Sequence, residues 1–263
     1  AMLATAYGVP VVRRPDTAGS EDGLFRRMGA LWQSKPFAWL TLTFFVQSLA
    51  QATGTGVLGF VFIYAVGDPD MLLPFILVMS VSTLATQPLW LSLSVRFGKE
   101  PVFVGACVLW LVTALSWLLM EPGGAAVVTV PLLGALSSQD LLVLLRGSLI
   151  GISTGGFLLL SLSMLTDSIE IERVREGEVD EGLFSGVFSA CEKLSYAVGP
   201  MISGIVLSLF GFQASTGGAV EQGAEAIRGI LLLFSVIPAL IFALGLVPFA
   251  LYRRALASVP TAR

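Results

Sequence analysis

Glu192 and Lys193 stand side by side inside the apolar run LFSGVFSACEKLSYAVGPMISGIVLSLFGF, residues Leu183–Phe212. That run is long enough to cross a bilayer, which takes about 20 apolar residues. A charge at the centre of such a helix costs roughly 2.5–3.5 kcal/mol on insertion scales. Residues kept there either handle an ion or a polar solute, or lock two helices together, and intramembrane ionisable groups default to the first role. Ser185, Ser189, Glu192, Lys193, Tyr196 and Ser203 recur at helical spacing and predict a polar stripe on an otherwise apolar cylinder. Adjacent residues on a helix point about 100° apart. Glu192 and Lys193 are therefore expected to flank the stripe, each with a partner on another helix. Gly199-Pro200 loosens the same helix and predicts a hinge.

Other polar residues lie in apolar surroundings. Gln47 and Gln51 are one turn apart, followed by Thr53-Gly54-Thr55-Gly56. They line a cavity with hydrogen-bonding side chains or bond neighbouring helices. Irregular backbone at membrane depth is tolerated only against protein or a water-filled cavity. Gly147, Gly151 and Gly155 recur every four residues with Gly156 adjacent, which predicts a ridge for close helix approach. Arg146 either snorkels to the interface or meets an anionic group in a cavity. Asp167 closes a span and is followed by Glu170 and Glu172, while Arg96, Gly98 and Lys99 form a tight basic turn elsewhere. Such a turn can pair with an acidic helix end in one conformation and release it in another.

The elements that position these residues are spans. The chain of 263 residues is 55% hydrophobic and 13% charged, with a mean hydropathy of +0.86. A soluble domain carries about 25% charged residues, so the composition predicts a polytopic, all-α membrane protein. Six spans are expected, at residues 37–66, 71–94, 101–120, 141–165, 183–212 and 227–251. Residues 125–136 are too short to span and contain Pro131 and Gly134, which predicts an interfacial or re-entrant loop without strands. Arg and Lys concentrate before the first span, in alternate loops and after the last. That bias puts both termini in the cytoplasm, and a plasma or inner membrane is the expected location. Residues 1–35 read as a cytoplasmic linker with an interfacial helix near Leu24–Trp32, residues 36–254 as the bundle, and residues 255–263 as a tail. Histidine is absent, and Cys107 and Cys191 fit no zinc spacing. No nucleophile–base pair or metal cluster is apparent. The expectation is a protein that is no enzyme, uses no cofactor and binds no nucleic acid.

The segment SMLTDSIEIERVREGEVDEGLFSGVFSACEKLSYAVGP resembles the tenth-to-eleventh helix region of the glycoside–pentoside–hexuronide:cation symporters, in the major facilitator superfamily. Asp167, Glu170, Glu181-Gly182 and Lys193 match that family's acid, acid, Glu-Gly and lysine pattern. Phe97-Gly98-Lys99 and FIYAVGDPD are similar to the family as well. SMLTDSIE is similar both to melibiose-permease-like sugar carriers and to the branch of sodium-dependent lysophosphatidylcholine symporters. The resemblance runs from about Leu24 to Arg254 and implies helices seven to twelve of a twelve-helix transporter. It implies cation-coupled transport, by sodium or protons, of a small polar or amphipathic solute of the sugar or lysolipid class. The partners implied are the bilayer, the solute and an N-terminal six-helix half, from the same product or a separate chain, and transport runs by alternating access. Lys193 and Glu192 would then serve cation coupling. Gln47, Gln51, Ser189, Tyr196 and Arg146 would line the solute cavity, and Arg96, Lys99, Asp167 and Glu170 would form a cytoplasmic gate. The rival reading is a structural membrane subunit of a larger complex that does not transport.

Overall fold

A computed structural model describes residues 29, 31–120, 126–130, 134–177, 179–214 and 220–258. Most of the predicted linker and of the interfacial helix near Leu24–Trp32 lies outside the described residues, as do residues 259–263 of the tail. The described chain is helical apart from one small hairpin. In order the helices are α1 (Lys35–Thr55), α2 (Leu58–Phe60, continued as a π-helical turn over Val61–Val66), α3 (Leu72–Ala85), α4 (Gln87–Phe97) and α5 (Lys99–Ser116). They continue as α6 (Ser138–Glu176), α7 (Glu181–Leu209), α8 (Ala224–Phe234), α9 (Val236–Leu244) and α10 (Leu246–Ala257).

Three stretches are long and apolar enough to cross a membrane: Lys99–Leu119, Ser138–Arg175 and Ala224–Ala257. Two bent pairs bring the number to five, α1 with α2 at 40° and α3 with α4 at 41°. The first bend falls at the predicted weak point, Thr55-Gly56, and the second at Thr86, before Pro88, which supplies no amide donor. α7 has 29 residues, but Glu192 and Lys193 sit within its apolar stretch and it does not join the five. Six spans were expected; α7 supplies the sixth by length alone.

Local signals fix several helix starts. Ser137 and Asp140 form a reciprocal capping box at the head of α6. Asp180 caps α7 by accepting from the Leu183 amide at 3.2 Å. The π-helical turn after α2 ends at Gly67, whose φ of +78° favours glycine.

The loop expected over residues 125–136 is corrected by the structure. Ala126–Val130 pairs antiparallel with Gly134–Ser137. Val127, Val128, Thr129 and Val130 are β-branched, and such residues pack well on a pleated surface. Read as one apolar stretch, they concealed a strand.

α1 is buried on most of its surface and packs on α7, α9, α10, α8 and α6. α6 in turn packs on α3, α4 and α5. Phe44 joins the two groups, stacking on Phe157 of α6 at 5.4 Å and on Phe188 of α7 at 4.1 Å. One apolar cluster gathers Phe37, Phe103, Trp110, Phe242 and Phe249. A second, beyond the α1–α2 bend, gathers Phe62, Phe75, Trp117, Ile230 and Leu233.

The glycine ridge does what its spacing predicts. A methyl group on Gly147 would lie 2.8 Å from the Phe75 ring, and one on Gly155 would lie 2.8 Å from the Thr83 carbonyl oxygen. At Gly151 it would collide with the Met79 carbonyl, and at Gly156 with the Trp90 indole at 2.6 Å. The bared α6 backbone accepts across this seam. Thr83 Oγ1 donates to the Gly151 carbonyl at 3.0 Å, and Trp90 Nε1 donates to that of Ile152 at 2.8 Å.

Candidate functional site

α7 is anchored by one face. Phe184, Val187, Phe188, Ser195, Gly199, Ser203 and Leu207 are buried. Gly199 lets α1 come so close that a Cβ there would lie 2.5 Å from that of Ala52. Ser195 Oγ donates to the Phe45 carbonyl at 2.9 Å, and Ser203 Oγ donates to that of Thr53 at 2.8 Å. The last four of those buried residues lie four apart, a row that drifts around the cylinder. The predicted stripe is thereby divided. Ser203 turns inward onto α1, while Ser185, Ser189, Lys193 and Tyr196 remain exposed. Gly199, expected at a hinge, sits in a tight helix contact.

Lys193 lies near the middle of α7 with 74% of its side chain exposed, against 28% for Glu192. Lys193 Nζ donates to Glu192 Oε2 at 3.1 Å. This corrects the expectation that each would find its partner on another helix. Their side chains leave the helix in different directions, but they are long and flexible enough to close the gap. Beyond the charged pair, the exposed face of α7 turns apolar, with Met201, Ile205 and Leu209.

The other predicted residues fall in different places. Gln47 is fully buried in the bundle, its Nε2 3.5 Å from Cys107 Sγ on α5 and its stem against Gly245. Gln51, one turn later, is half-buried. Arg146 is 7% exposed. Its Nε donates to Ser116 Oγ at 3.3 Å, and its guanidinium lies 5.4 Å from the Trp117 ring centre. It does not snorkel, because α5 and the turn after it cover it.

Of the four predicted gate residues the fold joins two. Lys99 Nζ, at the start of α5, lies 2.7 and 2.6 Å from the two carboxylate oxygens of Asp167 on α6. Arg96 stacks over Phe97, and Glu170 accepts from Arg173 at 3.0 Å on its own helix. Sequence reasoning missed two further pairs at this end. Arg253 Nε donates to Glu100 Oε2 at 2.8 Å, tying α10 to α5, and Arg173 pairs with Glu181 across the α6–α7 turn. The signal was present, since Glu100 follows Lys99 and Arg253 closes the last span. Arg253 counts in the sequence only as a basic charge marking a side of the membrane, and Glu100 is not singled out. The lining of the charged end is thus a set of ion pairs between helix ends, and the open face of α7 carries the mid-helix pair.

Residues 2–254 match the family described as MFS/sugar transport protein. The chain is 26% identical over 242 residues to the sphingosine-1-phosphate transporter MFSD2B of Mus musculus, covering 90% of this chain and 45% of that protein. It is likewise 26% identical over 220 residues to the sodium-dependent lysophosphatidylcholine symporter 1-A of Danio rerio, covering 82% of this chain and 38% of that protein. The chain thus spans less than half the length of these curated relatives.

Proposed function

The chain belongs to the MFS/sugar transport protein family, and on that premise we propose that it forms one bundle of a cation-coupled transporter for an amphipathic solute. The observation that carries this reading is the open face of α7. A lysine–glutamate pair sits at mid-helix on a side that no described element covers, while the opposite side is locked onto α1. A second six-helix bundle, facing α7, would enclose that surface and create the low-dielectric cavity in which the pair has its largest effect.

In this reading Lys193 and Glu192 couple the cation, sodium or proton. An ammonium held next to a carboxylate competes with a bound cation for it, so binding and release of the ion shift the charge that the solute meets. Ser189 and Tyr196 offer hydroxyls on the same exposed face, and Met201, Ile205 and Leu209 continue it as an apolar track. A charged head followed by a hydrocarbon tail matches that order, whereas a sugar would need hydrogen-bonding groups along its whole length. The relatives named for sphingosine-1-phosphate and lysophosphatidylcholine support the amphipathic class. Lys99–Asp167, Glu100–Arg253 and Arg173–Glu181 close the charged end in this conformation, and their separation would accompany opening towards the cytoplasm.

The test is uptake of a labelled lysolipid by the assembled transporter, with and without a sodium or proton gradient. Lys193→Ala is expected to abolish the gradient-dependent part while the protein still reaches the membrane. Undiminished coupled uptake by that variant would remove the coupling role.

A further inference from the structure

At the charged end, the start of α1, the last turns of α6 and the end of α10 border a half-open cavity of about 490 Å³. Lys35, Arg175 and Glu172 line it, together with the apolar walls Pro36, Ile171 and Ala255. Glu172 is only 4% exposed. Its nearest described cation is Arg175 at 3.6 Å, beyond ordinary hydrogen-bond range of about 3.2 Å. Among the described residues nothing donates a hydrogen bond to that carboxylate, and Lys35 makes no ion pair. A carboxylate so enclosed and held in so long an ion pair gains from a donor that reaches it through the cavity. Ser34, at the N-cap of α1, makes no side-chain bond to the first-turn amides, which adds positive potential on the same side as Lys35.

Two cations and one buried carboxylate facing a single cavity select the ligand chemistry. A plain phosphate would be repelled by Glu172, and a plain amine would be repelled by Lys35 and Arg175. We infer that this cavity binds a phosphate ester carrying a primary ammonium group, with the phosphate between Lys35 and Arg175 and the ammonium donating to Glu172. A quaternary ammonium has no N–H to offer Glu172, so phosphoethanolamine is preferred over phosphocholine. The source is the headgroup of a membrane phospholipid. α6 runs for 39 residues, roughly 58 Å at 1.5 Å per residue, against a hydrocarbon layer of about 30 Å, so its last turns lie outside the hydrocarbon, on the headgroup side. The apolar walls then take the glycerol and first acyl carbons. This site is separate from the open face of α7, and its test does not depend on transport.

The purified full chain, stripped of lipid in mild detergent, is titrated with phosphatidylethanolamine and with phosphatidylcholine, and bound lipid is read by native mass spectrometry. The ethanolamine lipid is expected to be retained about tenfold better, the scale of one charge-assisted hydrogen bond. Glu172→Gln should bring that ratio to about one, and Lys35→Gln, at an exposed position, should weaken retention of both lipids. Equal retention of the two lipids by the unsubstituted chain overturns the site. An unchanged ratio in a stably folded Glu172→Gln protein does the same. Displacement of the lipid by soluble phosphoethanolamine at matched concentration overturns the lipid source.

Discussion

Gly151→Ala is the sharpest test of how this bundle is held together. A Cβ at 151 would lie 2.9 Å from the Met79 carbonyl carbon and 3.0 Å from its Cα, and closer still to the carbonyl oxygen. Backbone cannot rotate out of the way as a side-chain tip can, so α3 must retreat from α6. Overpacking of this kind costs about 1–3 kcal/mol. Retreat also stretches the bond from Thr83 Oγ1 to the Gly151 carbonyl, now 3.0 Å, and interhelical bonds in membranes average about 0.6 kcal/mol. Replacing glycine by alanine within a helix returns up to about 1 kcal/mol through propensity. The net loss is about 0.6–2.6 kcal/mol, a factor of roughly 3–80 in the folding equilibrium. Reversible unfolding by SDS in bicelles, followed by helicity, measures it. Gly105→Ala is the control, because a Cβ at that exposed position on α5 meets nothing within 4 Å. Gly151→Ala as stable as Gly105→Ala would refute the close-packed seam. Gly151→Leu should be worse than Gly151→Ala.

Lys193→Ala should change stability by no more than about 0.5 kcal/mol, since the side chain is mostly exposed and its described partner is its neighbour; a loss above about 2 kcal/mol in the same unfolding assay would make the lysine a helix lock rather than a coupling residue. Phe44→Ala removes the ring stacked between Phe157 and Phe188 and should cost about 3–5 kcal/mol by the same measure, with a loss under about 1 kcal/mol arguing against its central place. A double-mutant cycle of Lys99→Met and Asp167→Asn should give a coupling below about 1 kcal/mol, because both groups are half-exposed. Cysteine labelling at the charged end should nevertheless rise in either variant, and unaltered labelling would remove the pair from any closing role.

Local chemistry alone was enough to reveal the apolar runs, the bend at Thr55-Gly56 and the glycine ridge. Hydropathy and four-residue spacing are properties of consecutive residues, so they survive whatever the helix packs against. The tertiary structure decided which side of each helix faces what. Gly199 fits against Ala52, and in that packing α7 turns Ser195 and Ser203 inward and leaves Lys193 outside. Gln47 looked like a cavity residue and was buried because α5 and Gly245 close over it. Glu100 found Arg253 more than 150 positions away, a distance over which spacing carries no information. Helix identity is therefore written along the chain, whereas helix orientation is fixed by steric fit between distant surfaces that no local pattern encodes.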